Sequence, residues 1–262
     1  VGLLKNKKNL ILQGAPGVGK TFAATRLAYS MMGEKDDSRI EFVQFHQNYS
    51  YEDFIMGYKP QDEGFKLTNG IFYQFCMNAA EHPDKDYFFI IDEINRGNMS
   101  KIFGELLMLI EKDYRGTTVT LAYSRTAFSV PKNVYIIGMM NTADRSLAMI
   151  DYALRRRFSF YEMEPGFNSE GFKAYQASLK NETFNTLIEQ IIDLNREINI
   201  DDSLGPGFRI GHSYFCGQEE CTEEWMKAVV YYDIIPMLQE YWFDDRQKVK
   251  RWENLLIGVF ND

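Results

Sequence analysis

The chain of 262 residues is poor in cysteine and in long apolar runs. Three cysteines, Cys76, Cys216 and Cys221, form an odd and sparse set. Such a set argues against a disulfide scaffold and for a reducing compartment, so we expect a cytoplasmic protein. The longest apolar stretches, such as 87–91 and 134–140, are too short for a transmembrane helix, and we expect no membrane partner.

Basic charge is also scarce, because 29 Lys and Arg face 37 Asp and Glu for a net charge of −8. This balance argues against a protein that coats nucleic acid, although a local basic rim inside an oligomer is compatible with it. Residues 1–8 are basic but lack the apolar region and cleavage site of a signal peptide. A start at Val1 rather than Met predicts a piece of a longer or processed protein.

The first 165 residues alternate short apolar runs with amphipathic segments, which predicts an α/β fold with a parallel sheet covered on both faces. The predicted strands are 9–13, 41–45, 87–91, 134–139 and 158–162, and the predicted helices are 21–32, 71–80, 101–111 and 147–156. Segments 57–69 and 117–130 have the composition of hairpins. We therefore predict a nucleotide-binding core over 1–165.

After Pro165 the apolar residues follow helical spacing, with little strand signal. Helices are predicted over 172–179, 184–198, 222–241 and 245–256, with a Gly-rich aromatic turn at 204–215. A helical second domain is therefore predicted over 166–262.

The strongest motif is a phosphate-binding loop between a predicted strand and a predicted helix. Its residues are Gly14, Ala15, Pro16, Gly17, Val18, Gly19, Lys20 and Thr21. The glycines let backbone N–H groups face a phosphate at a helix N-terminus. Lys20 is expected to reach the β- and γ-phosphates, and the Thr21 hydroxyl to bind Mg²⁺. A Gly-rich turn without function is the alternative.

Polar groups follow two further strands. The run 87–91 ends in Asp92 and Glu93, which places two carboxylates at the carboxyl edge of the sheet. Asp92 is expected to hold Mg²⁺ through water, and Glu93 to polarise the attacking water. Asn141 ends a strand expected between the other two, near the γ-phosphate, where its amide can donate and accept. Alternatively, Asn141 or Asp144 caps a helix that starts near Ser146.

Three consecutive arginines, Arg155, Arg156 and Arg157, precede the last predicted strand. In the structural interpretation, the arginines are cations at a helix C-terminus, where each stabilises the helix by about 0.3–1 kcal/mol. The functional interpretation is an arginine that reaches the γ-phosphate of a neighbouring subunit, where planar bidentate pairing suits phosphate.

In this order, these motifs resemble an AAA+ nucleotidase, and the two hairpins resemble its helix-2-insert branch. Four longer blocks resemble the McrB family, the GTP-hydrolysing motor subunits of modification-dependent restriction systems. They are QFHQNYSYEDF at 44–54, IDEINR at 91–96, MNTADRS at 140–146 and GFRIGHSYF at 207–215. The likeness runs from about residue 9 to residue 245.

The resemblance implies roles for individual residues. It makes Lys20 and Thr21 the phosphate and Mg²⁺ residues and Asp92 a metal carboxylate. It makes Glu93 the base and Asn141 the sensor of the γ-phosphate. It also makes Arg156 and Arg157 candidates for the arginine that acts in trans, Arg96 a charge organiser at the subunit boundary, and Arg209 a lid contact to nucleotide.

The resemblance further implies GTP as the nucleotide, a hexameric ring, DNA in the assembled complex and a McrC-like nuclease partner. The residues themselves indicate only a purine-triphosphate hydrolase, because the Asn-Lys-x-Asp guanine motif is absent. Eight residues precede the first strand, so we expect no DNA-reading domain here, and no nuclease constellation is apparent. A MoxR-like ATP-dependent protein remodeller and a nucleotide-switched scaffold are the alternatives.

One cluster has a weaker metal-binding interpretation. His212, Cys216 and Cys221 lie within ten residues, which is a loose spacing for zinc and lacks a fourth ligand. The pattern favours a lid turn with ordinary thiols.

Overall fold

A computed structural model describes residues 1–62, 64–143 and 155–260 of the chain. The chain forms two compact units. The first contains residues 1–13 and 20–162, and the second contains residues 14–19 and 163–262. The proposed division into a core over 1–165 and a lid over 166–262 stays a prediction. Every helix within the described residues is too short or too polar to cross a bilayer.

The first unit is built on a five-stranded sheet, as the apolar runs predict. In chain order the sheet strands are β1 (Asn9–Gly14), β2 (Ile40–Gln44), β5 (Tyr87–Asp92), β8 (Val134–Asn141) and β9 (Ser159–Glu162). Their spatial order is β2-β5-β8-β1-β9. Parallel ladders join β2 to β5, β5 to β8 and β1 to β9. The order confirms that the Asn141 strand lies between the phosphate-loop strand and the carboxylate strand.

Two antiparallel hairpins interrupt the α/β pattern, again as predicted. One pairs β3 (Met56–Gln61) with β4 (Gly64–Asn69), and the other pairs β6 (Thr118–Thr120) with β7 (Ala127–Ser129). The helices of this unit are α1 (Gly2–Lys7), α2 (Lys20–Met32), α3 (Tyr51–Phe54), α4 (Ile71–Glu81) and α5 (Met99–Phe103).

An aromatic cluster attaches the first hairpin region to the sheet. The Phe54 ring of α3 stacks on Phe72 of α4, with ring centroids 4.7 Å apart. Phe89 of β5 meets both rings edge-on, and Phe103 packs 4.7 Å from Phe54. All four side chains are fully buried, and each contributes about 1.5–3 kcal/mol through burial.

The predicted helix over 101–111 is wrong in its extent. Helix α5 ends at Phe103, and a short 3₁₀ turn follows over Gly104–Leu107. The cause is Gly104, which adopts a φ of +50° and faces the Tyr51 ring, 3.0 Å from the position of a Cβ. Most of the predicted helix 147–156 lies outside the described residues.

The second unit is helical. Its helices are α6 (Glu170–Leu179), α7 (Glu182–Ile200), α8 (Glu223–Ala228), α9 (Ile235–Tyr241) and α10 (Arg246–Gly258), and a π-helical segment, Val229–Ile234, joins α8 to α9. Side chains of Ser169, Asn181, Thr222 and Asp245 cap four of these helices at their N-termini. Helix α7 buries one apolar face, which is Phe184, Leu187, Ile188, Ile191, Leu194 and Ile198.

A buried polar network lies where β1 begins. The Asn9 amide donates to the carbonyls of Ile110, at 2.8 Å, and Arg157, at 3.0 Å. Its Oδ1 accepts from the Arg115 guanidinium at 2.8 Å, and Arg115 Nε donates to the Ile110 carbonyl at 3.0 Å. Burial lowers the pKa of Arg115 to about 10, which still leaves the side chain charged at neutral pH, and the Asn9 and Ile110 oxygens replace water as its hydrogen-bond acceptors.

We expect Asn9→Leu to destabilise the protein by about 3–5 kcal/mol, because one N–H of the buried Arg115 guanidinium loses its acceptor and the Ile110 and Arg157 carbonyls lose the amide donor. The urea midpoint of unfolding measures the effect. The control Asn78→Leu, at an exposed position of α4, should change stability by less than about 0.5 kcal/mol. Equal midpoints for the two variants would contradict a structural role for Asn9.

Candidate active site

The phosphate loop follows β1 directly and contains two glycines with left-handed backbone angles. Gly17 has a φ of +75° and Gly19 a φ of +80°, which residues with a Cβ rarely adopt. Ala15 and Val18 are buried, so their side chains anchor the loop. Thr21, in the first turn of α2, is exposed.

In the second unit, a lid segment binds the backbone of this loop. The N–H of Gly211 donates to the Pro16 carbonyl at 3.2 Å, and the N–H of Ser213 donates to the Gly17 carbonyl at 2.9 Å. The approach is so close that a Cβ on Gly211 would lie 1.9 Å from the Gly17 carbonyl carbon. Position 211 therefore requires glycine.

In the first unit, a chain of short hydrogen bonds joins three predicted site residues. Lys20 Nζ donates to Asn141 Oδ1 at 2.6 Å, and Asn141 Nδ2 donates to Glu93 Oε1 at 2.6 Å. The structure thus brings together the loop lysine, the strand-terminal amide and the candidate base. Asn141 contacts a cation on one side and a carboxylate on the other.

Lys20 is buried, with 9% of its surface exposed. Burial lowers the pKa of Lys20 to about 8, against the opposing effect of the Glu93 and Asp92 charges. The ammonium form is therefore held in a poorly solvated place by nearby carboxylates. An anionic phosphate at this place would stabilise the same charge.

Glu93 follows Asp92 at the end of β5 and has an unusual backbone. Its φ is +49° and its ψ +44°, which is uncommon for a residue with a Cβ and is one of the strained conformations found at functional sites. The Glu93 N–H donates to Asp92 Oδ1 at 3.0 Å. Arg96 Nε lies 3.2 Å from Glu93 Oε2, so both carboxylate oxygens have a fixed neighbour.

The arginine run lies at the other end of β1. Arg157 is buried and its Nε lies 2.9 Å from Glu111 Oε1. Arg156 is 69% exposed and lies 3.4 Å from the same carboxylate oxygen. The structure therefore separates the two candidates, with one buried guanidinium and one exposed.

Arg209 contacts residues of its own unit. Its guanidinium lies 3.5 Å from Glu164 and its Nε donates to the Pro206 carbonyl at 3.0 Å. A nucleotide contact for Arg209 stays a prediction. Asp144 and Ser146, the alternative helix cap and the helix start, lie outside the described residues.

The donor set fits a magnesium ion that is held mainly by a nucleotide. Within the described part of the chain, no group of three or more His, Cys, Asp and Glu could hold a metal ion by itself. Thr21 and Asp92 supply two hard oxygen donors, and Mg²⁺ is usually bound through one or two such groups, substrate phosphates and water. The same finding leaves the zinc interpretation of His212, Cys216 and Cys221 without support. Cys216 Sγ donates instead to the His212 carbonyl.

Three contributors were not predicted from the sequence as parts of this arrangement. Glu111 and Asn9 hold the arginine run, but neither belongs to a recognisable motif. His212 lies next to the phosphate-loop glycines, between the two residues whose N–H groups bind the loop. The sequence feature that could have identified it is its position in the block 207–215.

Comparisons with known proteins agree with this arrangement. Residues 9–158, more than half of the chain, match the family described as AAA domain (dynein-related subfamily). Residues 186–250 match the α-helical lid domain of McrB.

Two curated relatives are both restriction components. The Escherichia coli type IV methyl-directed restriction enzyme EcoKMcrB subunit is 55% identical over 264 residues, covering 96% of this chain and 58% of that protein. The Bacillus subtilis type II restriction enzyme BsuMI component YdiS is 27% identical over 250 residues, covering 77% of this chain and 72% of that protein. This chain thus spans little more than half the length of the E. coli relative.

A crystal structure from Cytophaga hutchinsonii aligns with 94% of this chain and 75% of its own, at 13% identity and a TM-score of 0.39. A likeness this low carries no weight for fold or function.

The parallel sheet that ends in the phosphate-loop and carboxylate motifs, the helical unit and the two family matches agree with one another. The chain belongs to the dynein-related subfamily of AAA domains and, by its lid and its 55% identity to the E. coli subunit, to the McrB family.

Proposed function

We propose that this chain is a GTP-hydrolysing AAA+ motor. It assembles into a hexameric ring and powers DNA translocation for restriction of modified DNA, together with a McrC-like nuclease subunit. The family supports nucleoside-triphosphate hydrolysis, and the names of the two curated relatives support a restriction system. GTP, the ring, DNA and the nuclease partner belong to the proposal.

One observation carries the hydrolytic part of the proposal, namely the bridge from Lys20 through Asn141 to Glu93. A γ-phosphate held by Lys20 lies within reach of the Asn141 amide. A water molecule beside that phosphate lies within reach of the Glu93 carboxylate. The cation that binds phosphate, the sensor and the base therefore form one connected group. Phosphoryl transfer depends mainly on such positioning of the reacting groups.

The roles follow from chemistry. Glu93 accepts a hydrogen bond from the attacking water and so polarises it. Asn141 and Arg96 hold the Glu93 carboxylate in its orientation. Lys20 neutralises charge on the transferred phosphoryl group. Mg²⁺, held by the nucleotide with Thr21 and Asp92, would supply further neutralisation of the phosphate oxygens.

The position of the arginine run supports a shared active site. Asn9, the first residue of β1, binds the Arg157 carbonyl, whereas the phosphate loop follows the last residue of β1. Six residues of strand separate the two edges of the sheet by about 16–20 Å. An arginine at the first edge cannot serve the nucleotide of its own chain, but it can serve that of a neighbour.

Of the two candidates, we assign the trans role to Arg156. Arg157 is buried and pairs with the partly exposed Glu111, so extending it toward a neighbour would break the ion pair of a buried guanidinium. Arg156 is exposed, and only a weak surface pairing opposes its extension. Arg157 then orients the segment that carries Arg156.

The nucleotide preference is tested by turnover. We expect GTP to be hydrolysed faster than ATP at equal concentration, with hydrolysis per chain rising with protein concentration as the ring forms and then reaching a plateau. Steady-state phosphate release, measured with each nucleotide across a series of protein concentrations, tests both the nucleotide preference and the concentration dependence. Faster ATP turnover would favour a MoxR-like protein remodeller.

Glu93→Gln should retain GTP and Mg²⁺ binding but hydrolyse about 10²–10⁴-fold more slowly, because the amide cannot act as a base. Single-turnover hydrolysis and equilibrium binding separate the two effects. Lys20→Ala is the matched control and should lose binding itself. An unchanged single-turnover rate in Glu93→Gln would remove Glu93 from the mechanism.

Arg156→Ala should bind GTP normally and hydrolyse it about 10³–10⁵-fold more slowly, which is the range for a transition-state arginine. The exposed neighbour provides the control, because Arg155→Ala should retain activity. Arg157→Ala should instead lower the urea midpoint of unfolding.

Mixing Arg156→Ala with Glu93→Gln chains should restore part of the activity. Some subunit boundaries in a mixed ring then pair an intact base with an intact arginine. No recovery at any mixing ratio, together with a specific activity independent of concentration, would refute the shared site.

A further inference from the structure

We propose that His212 selects guanine over adenine, by donating its Nε2–H to the six-position oxygen of the base. The proposal rests on the proposed GTP hydrolysis and supplies a selector that the sequence motifs do not. It uses contacts within the second unit, which contains both the lid turn and loop residues 14–19.

The tautomer of His212 is set by the backbone. The N–H of Gly166 donates to His212 Nδ1 at 2.9 Å. A ring nitrogen that accepts a hydrogen bond carries no proton, so the neutral ring carries its proton on Nε2. In the described part of the chain, Nδ1 has a hydrogen-bond partner and Nε2 has none. The ring therefore presents a donor that the protein itself does not use.

Packing keeps this ring neutral and oriented. Phe167 and Phe172 meet the imidazole edge-on, with ring centroids 6.2 and 6.0 Å away. Burial lowers the pKa of His212. Protonation at Nδ1 would also break the bond from Gly166. At neutral pH the ring is thus an uncharged, fixed donor.

The Cε1–Nε2 edge of the ring lies against Gly166 and also faces the phosphate loop. His212 Cε1 and Nε2 lie 3.8 and 3.9 Å from the position of a Cβ on Gly19. The residues on either side, Gly211 and Ser213, bind the loop carbonyls of Pro16 and Gly17. His212 is therefore held beside the loop by backbone bonds on both sides of it in the sequence.

An uncharged donor suits a base better than a phosphate. Phosphate oxygens are best bound by cations and by loop amides, and a histidine built for them would gain from a second ring proton. The bond from Gly166 excludes that proton. Guanine offers an oxygen acceptor at position six, where adenine carries an amino donor. A fixed N–H donor can form a hydrogen bond with guanine at this position, whereas in adenine it would face a second donor.

Two substitutions distinguish the Nε2 donor of His212 from its Nδ1 acceptor, which binds Gly166. In His212→Asn, Oδ1 replaces Nδ1 as the acceptor for Gly166, while the Nε2 donor is lost. In His212→Gln, the amide N–H₂ stands near the place of Nε2, so a donor is retained. Affinities of the full chain for GTP, ITP, ATP and 2-aminoadenosine triphosphate, with Mg²⁺, provide the readout. ITP keeps the six-position oxygen, and the 2-amino analogue of ATP does not.

We expect His212→Asn to weaken binding of GTP and ITP by about five- to tenfold, the value of one neutral hydrogen bond. Binding of ATP and its 2-amino analogue should stay within about twofold. His212→Gln should recover part of the preference. Because Asn keeps the bond from Gly166, the urea midpoint should change little. If it does fall, ¹⁵N NMR of His212 in the unaltered chain tests the same contact, since its Nε2 resonance should move with GTP and ITP and not with ATP.

Equal weakening for all four nucleotides would assign His212 to the phosphates or to lid structure and overturn the proposal. Weakening for GTP and the 2-amino analogue, with ITP unchanged, would place the selective contact at the 2-amino group and also overturn it. An unaltered chain that binds GTP no better than ATP contradicts the proposed function itself, before any variant is compared.

Discussion

The hydrogen bonds that converge on Asn141 are the constraint on which the site depends. One amide accepts from a buried ammonium and donates to a carboxylate, each at 2.6 Å. An amide can do both because its two ends have opposite polarity, whereas an Asp or a Lys at this position would repel one neighbour. The sheet order makes the bridge possible, since β8 lies between β1 and β5. In the proposed mechanism, phosphate binding by Lys20 and water activation by Glu93 are therefore coupled through one side chain.

The opposite edge of the sheet is held by a different kind of network. There Asn9 binds the backbone carbonyl of Arg157, Glu111 pairs with the Arg157 side chain, and Arg115 binds Asn9. Asn9, Arg115 and Arg157 are buried, so loss of their contacts costs stability, whereas little opposes a movement of the exposed Arg156 side chain beside them. An exposed guanidinium on a buried, hydrogen-bonded support suits the proposed arginine that acts on a neighbouring chain. The two edges thus supply the two halves of the proposed shared site.

The sequence predicted the sheet closely, because strands buried on both faces are continuous apolar runs with clear ends. It failed over 101–111, where helical spacing continues through Gly104 but a positive φ breaks the helix. The loop, Asp92, Glu93 and Asn141 could be found because each follows a strand at one sheet edge. Glu111 and Asn9 could not, since an ion pair distant in sequence and a buried amide have no sequence pattern. Likewise, spacing alone does not distinguish the buried Arg157 from the exposed Arg156.

The nucleotide preference is a property that the spacing of residues in this sequence does not predict. Guanine-binding proteins with an Asn-Lys-x-Asp motif can be identified from sequence, because the reading side chains lie together in the chain. Here the candidate reader is one imidazole, whose donor is defined by a backbone N–H of Gly166, 46 residues away. Histidine in a sequence has two tautomers and two charge states. Only the contact to Gly166 reduces these to one neutral donor, and so converts an ordinary lid residue into a group that distinguishes a carbonyl oxygen from an amino group.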